Sequence, residues 1–195
     1  MSNFTQDATY GDVTGFPILR QGYELIRIVS KAAPTVELYH AGNNDRLFYP
    51  YRLQPADEAN IRQRESAIDY IVDSGYNKDH ITNEDVIEKA VELDATYVVP
   101  KDYPPRSRDE CDDDQDPRSE DEARRMSTES YAEFFDLYDK VDCRATPIVP
   151  LQPPHTDHLE TITDRFGPFG YYGVGGIAHD SVERKIEAIE DVREA

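Results

Sequence analysis

Apolar residues recur at helical spacing in some stretches of the chain and run together in others, and from about residue 55 the two patterns alternate. Pro55 to Ala67 is polar and helix-compatible, and Ala67-Ile68-Asp69-Tyr70-Ile71-Val72 then reads as a short buried strand closed by Asp73-Ser74-Gly75. Thr82-Asn83-Glu84-Asp85 opens a helix that carries Val86, Ile87, Ala90 and Val91 on one face. The strand Thr96-Tyr97-Val98-Val99-Pro100 follows. Ser130-Tyr131-Ala132-Glu133 fits a capping box, and its helix sets Tyr131, Phe134, Phe135 and Tyr138 at i, i+3, i+4 and i+7. Then come the strand Thr146-Pro147-Ile148-Val149-Pro150-Leu151, a polar helix near Thr156 to Arg165, and the strand Gly170-Tyr171-Tyr172-Gly173-Val174. A final helix opens on a second capping box, Asp180-Ser181-Val182-Glu183, and is expected to bury Val182, Ile186 and Ile189.

Such alternation predicts parallel strands joined by helical crossovers. Upstream, Val36–His40 and Arg46–Tyr51 read as two strands about an Ala41-Gly42-Asn43-Asn44 turn, while residues 1–20 offer no clear element. Arg106 to Met126, which contains Cys111-Asp112-Asp113-Asp114-Gln115-Asp116-Pro117, is nearly devoid of apolar residues and predicts a solvated loop. About five βα units are countable, where a closed eight-stranded barrel takes about 250 residues. The predicted fold is therefore α/β: a (β/α) TIM-barrel-like chain, its barrel short or incomplete. Its organisation is a single structural domain, with N-terminal strands and decoration over 1–54, barrel units over 55–195 and an acidic insertion at about 106–126.

Composition changes this picture in two ways. The 195 residues are 38% hydrophobic and 10% aromatic, enough for a packed core. Against 40 Asp+Glu stand 21 Lys+Arg, a formal charge of −19; six of the 21 are Lys, which leaves 15 Arg. Many carboxylates and few lysines resemble the proteins of salt-loving archaea. In molar salt the Debye length falls to about 3 Å, so this acidity does not exclude a nucleic-acid partner as it would in dilute buffer. The N-terminus carries neither a basic nor an apolar leader pattern and no stretch is long and apolar enough to span a membrane, so a cytoplasmic location is expected, that of the host if the source is viral. Two cysteines, Cys111 and Cys143, make neither a disulfide framework nor a zinc site.

Function in parallel α/β folds sits at the C-terminal ends of strands. Those ends carry Asp73-Ser74-Gly75, Lys101-Asp102-Tyr103, Gln152 and Gly175-Gly176. Two carboxylates, an amide and an exposed backbone suit a flat heterocycle with several donors and acceptors, such as a purine-like base. Other readings are weaker on their chemistry. Gly173-Val174-Gly175-Gly176 ahead of a helix has the look of a phosphate cradle but lacks the remaining fingerprint residues. His155, Asp157 and His158 have metal-ligand types without a third clear ligand set, and read as a helix-start decoration. Arg106, Arg108, Arg118, Arg124 and Arg125 lie among so many carboxylates that they read as a mixed-charge surface.

In order along the chain, four segments resemble the tRNA-guanine (queuine/archaeosine) transglycosylase superfamily, and among its members the deazaguanine-DNA transglycosylases of haloarchaea and their viruses. Ile71-Val72-Asp73-Ser74-Gly75 resembles the family's strand-end Asp-Ser-Gly, and Val98-Val99-Pro100-Lys101-Asp102 its base-recognising strand. Pro147-Ile148-Val149-Pro150-Leu151-Gln152 is similar to the Val-Gln-Gly strand, with Pro153 where Gly is usual. Gly170–Ile177 resembles the Ile-Gly-Gly-Leu strand. The resemblance implies exchange of guanine for a 7-deazaguanine base in DNA or tRNA. Asp73 would assist proton transfer at the glycosidic bond, and Ser74, Asp102, Gln152, Gly175 and Gly176 would bind the base. It implies nucleic acid and a 7-deazaguanine base as partners, a second subunit or homo-oligomer as a further one, no membrane and no cofactor. The family's nucleophilic Asp and its zinc cluster of three Cys and a His lie downstream of the Gly-Gly strand, and neither is matched here. The competing expectation is a non-catalytic barrel remnant that binds nucleic acid or complements a separate catalytic subunit.

Overall fold

The computed structural model describes residues 16–19, 25–30, 51–65, 67–75, 78–111, 116–177 and 180–195. The molecule is a mixed α/β structure with parallel strands. Strands β1 (Phe16–Leu19), β2 (Leu25–Ser30), β3 (Tyr51–Pro55), β4 (Asp69–Asp73), β5 (Tyr97–Val98) and β6 (Thr146–Pro147) form one sheet in sequence order. Strands β7 (Val149–Leu151) and β8 (Tyr172–Val174) form a second, parallel pair. Among the described strands only β1 with β2 is antiparallel, and the other strand pairings are parallel.

Helices α1 (Ile61–Glu65), α2 (Asn83–Glu92), α3 (Glu120–Tyr138), α4 (His155–Phe166) and α5 (Val182–Glu194) occupy the connections. Strand sides alternate, so Tyr70 and Val72 of β4 and Val98 of β5 turn to one face, where they pack with Val86, Ile87, Ala90 and Phe134 from α2 and α3. On the same face, Val149 and Leu151 meet Tyr131 of α3 and Ile162 of α4. Sequential parallel strands with helices on one face are what same-handed crossovers produce. β6 and β7 act as one strand: Ile148 N–H still donates to the Val98 carbonyl at 2.9 Å, and Val149 N–H donates to Tyr171 at 3.1 Å. Pro147 and Pro150 remove two donors and interrupt the ladder between them.

Several expectations are corrected. β1 and β2 lie where the sequence showed no clear element up to residue 20 and nothing distinctive beyond it. β3 pairs with β4 over all five of its residues. After Pro55 a turn over 56–58 comes first, and the described helix is confined to Ile61–Glu65. α3 begins at Glu120, so the acidic loop is shorter than 106–126. Its capping box is Ser119 with Glu122, not Ser130 with Glu133: Ser119 Oγ accepts from the Glu122 amide, and the Glu122 carboxylate accepts from Ser119 N–H at 3.1 Å. Ser130 is buried mid-helix, where its Oγ accepts from Asn83 Nδ2 at 3.0 Å. α5 is capped by Ser181 alone, and Val182, Ile186 and Ile189 are 66%, 50% and 52% exposed rather than buried. The expected strand Val36–His40, all of the expected strand Arg46–Tyr51 but Tyr51, and Asp112–Gln115 of the acidic loop lie outside the described residues. No helix among the described residues is long and apolar enough to cross a membrane.

Candidate functional site

β4 ends at Asp73, whose carboxylate accepts the Gly75 amide at 3.2 Å. Gly75 holds φ 80°, and an added Cβ there would lie 2.9 Å from the Pro55 side chain, so this turn needs glycine. Ser74 is buried beside it at 2% exposure.

The loop after β5 is fixed from both sides of Asp102. Lys101 N–H donates to Asn83 Oδ1 at 2.9 Å, and Tyr103 N–H donates to Ser127 Oγ at 2.9 Å. Asn83 is itself held, its Nδ2 donating to the Ser130 carbonyl and to Glu133. Two helices thus set the peptide that presents Asp102. Its Oδ2 accepts a 2.6 Å hydrogen bond from Gln152 Nε2.

Gln152 is wholly buried and directly follows β7. Its backbone N–H donates to Nδ1 of His158 at 2.8 Å. An accepting Nδ1 puts the ring proton on Nε2, 3.1 Å from Thr128 Oγ1, and the Thr128 hydroxyl donates to the Arg124 carbonyl. His158 is fully buried and lies near-parallel to Tyr131; burial first, then the charge of Arg124, lowers its pKa to about 4. A neutral imidazole thus orients Gln152, and Gln152 orients Asp102. His155 Nε2 lies 2.8 Å from the Gly175 carbonyl and donates to it, which ties α4 to the turn after β8. That turn lies against the Gln152 amide: a Cβ on Gly175 would stand 3.0 Å from Nε2, and one on Gly176 would meet Pro153 at 2.8 Å.

Asp73, Asp102 and Gly176 line one cavity of about 570 Å³, together with Val99, Pro150, Arg106 and Arg118. Gln152 and Gly175 lie behind it, reached through Asp102 and Gly176. Ser74 is packed beneath the rim and does not line the space. Burial, and then the neighbouring Asp102, raises the Asp73 pKa to about 7. Burial likewise raises Asp102 to about 6, against the lowering influence of the Gln152 hydrogen bond. Two carboxyls sharing a cavity hold their protons toward neutrality, which suits proton exchange with a bound ligand.

The arginines correct the reading of a wholly solvated surface. Arg106 and Arg118 exchange backbone hydrogen bonds of 3.0 and 2.8 Å, closing the acidic insertion at its neck. Arg106 is 4% exposed, and Arg118 lies over the Tyr103 ring at 5.0 Å. The sequence signal was their position: Arg106 follows Pro104-Pro105, and Arg118 follows Pro117. Arg124 donates to the Pro153 carbonyl at 2.8 Å, while Arg125 pairs with Glu129 at the surface. His155 and His158 are engaged by the polypeptide, and among the described residues no cluster of three His, Cys, Asp or Glu is placed to hold a metal ion. Cys111 and Cys143 are free thiols.

Fold and site together define a parallel α/β chain with an acidic cavity at its strand ends. No protein-family model matches the chain, and a search of curated proteins finds no significant match.

Proposed function

We propose that the chain is a transglycosylase-like protein built on a short (β/α) barrel, exchanging guanine for a 7-deazaguanine base in DNA or tRNA. The observation that carries the reading is the pair of cavity carboxyls, Asp73 and Asp102, with the Gln152 amide clamped on the second. Asp102 accepts from the amidine-like N–H pair that guanine and 7-deazaguanines share. The Gly176 backbone meets the carbonyl edge, and Gln152 acts from behind the cavity by holding Asp102 in place. Asp73 hands its proton to N9 of the leaving guanine as the bond to C1′ breaks, and takes one from N9 of the incoming base as the new bond forms. A pKa near 7 suits both halves of that exchange. Arg106 and Arg118 on the cavity wall match a base that arrives attached to phosphates. No residue is assigned as covalent nucleophile.

Calorimetry with guanine or 7-cyano-7-deazaguanine in molar salt, run beside base exchange into DNA and tRNA, tests the reading. Asp102→Asn turns one acceptor into a donor facing a donor and should weaken base binding by about 1–3 kcal/mol. Asp73→Asn should keep most of the binding and lose exchange. A wild type that binds no purine base overturns the reading, and binding without exchange in the wild type leaves a non-catalytic base-binding module.

A further inference from the structure

Helix α5 carries two stripes that the rest of the described chain leaves to solvent. Val182, Ile186 and Ile189 stand at i, i+4 and i+7, each at least half exposed. Beside them Glu183, Glu187, Glu190 and Glu194 run along the helix at i, i+4, i+7 and i+11, all exposed. The helix is held on a different side, where Ala188 is half-buried and Val192 packs on the cluster of Val149, Leu151 and Ile162. Three large apolar side chains in a row are more than scattered surface exposure.

We infer that this face docks a different polypeptide, which lays on α5 an amphipathic helix whose apolar stripe is flanked by Lys or Arg. Charge decides against a second copy. Antiparallel pairing of two α5 helices sets the Glu edge of one against the Glu edge of the other, on chains of net charge −19. Parallel pairing sets it against the Lys185–Val192 side, where Val192 packs on the chain's own core and Lys185 is half-buried and already engaged. A basic helix satisfies the apolar stripe and the Glu edge together.

The probe is a synthetic amphipathic peptide with Leu at heptad positions a and d and Lys at e and g, compared with its counterpart carrying Glu at e and g. Binding is read by fluorescence anisotropy at the lowest salt in which circular dichroism shows the native fold. The Lys peptide should bind about tenfold or more tighter than the Glu peptide, and Ile186→Ser with Ile189→Ser should remove that binding. Glu183→Lys, Glu187→Lys and Glu190→Lys together should reverse the preference. Equal affinity for both peptides, or binding of neither, overturns the inference. So does sedimentation showing self-association that the serine variant abolishes, which would make the occupant a second copy. A large fall in melting temperature of the serine variant also overturns it, because the stripe would then be covered by the chain's own residues.

Discussion

At Asp73 the stability of the fold and the chemistry of the cavity pull in opposite directions. A carboxyl whose pKa rises from 3.8 unfolded to about 7 folded binds more protons in the native state. Its contribution is therefore whole below about pH 4 and is lost as pH climbs through about 7. The full shift corresponds to about 4 kcal/mol, and solvent in the cavity reduces this to about 2 kcal/mol. Asp73→Asn keeps an acceptor for the Gly75 amide and removes the penalty. Its melting temperature should match wild type near pH 4 and exceed it by several degrees at pH 8; equal values at pH 8 would mean that the carboxyl is solvated. His158 works with the opposite sign. Held neutral with a pKa of about 4, it withdraws stability as pH falls below its unfolded value of about 6.5, so the two slopes oppose each other over the acidic range.

Among the elements, α3 has the most to say about what a sequence discloses. Its apolar stripe is legible, because Tyr131 and Phe134 fall at helical spacing and both are fully buried. Its start is not. Ser119-x-x-Glu122 and Ser130-x-x-Glu133 both have capping-box spacing, and hydrophobic patterning favours the second because no large apolar side chain lies between Ser119 and Met126. That extra stretch is amphipathic by small residues instead: Ala123, Ser127 and Thr128 are its buried face. Ser119→Ala should cost about 1 kcal/mol in denaturant unfolding, as cap removal does elsewhere. A negligible loss would make the first turns of α3 irrelevant to stability. The strand ends behave differently. Asp73, Asp102, Gln152 and Gly176 are visible as polar or glycine punctuation after apolar runs, and all four meet at or behind one cavity. Arg106, Arg118 and His158 were not recognisable as its support, because a neck between two loop ends and a buried ring hydrogen-bonded to a backbone amide are made by tertiary contacts. α5 misled for the same reason: an apolar stripe says that a face wants cover, not that the chain supplies it.

For the molecule as a whole, charge sets the conditions under which the rest applies. Forty carboxylates against 21 cationic side chains repel over the whole surface in dilute buffer. Ion pairs such as Lys78 with Asp57 and Glu58, both at 2.8 Å, offset little of it because they lie at the surface, partly open to solvent. Circular dichroism should show native helix content in molar KCl and a marked loss in dilute buffer. A cooperative, fully folded chain in dilute buffer would contradict the halophilic reading and restore the electrostatic objection to nucleic-acid partners. The order of the strands has a consequence of another kind. From β2 to β8, with β6 and β7 taken as one strand, each described strand lies beside its predecessor in sequence, so closing each pair asks the chain to return over one connection only. A polypeptide emerging from the ribosome can then lay its strands down one after another, each on a template already formed. Among the described strands β8 is held by a single pairing of three residues, which makes this end of the sheet the natural place for the fold to open and exchange neighbours.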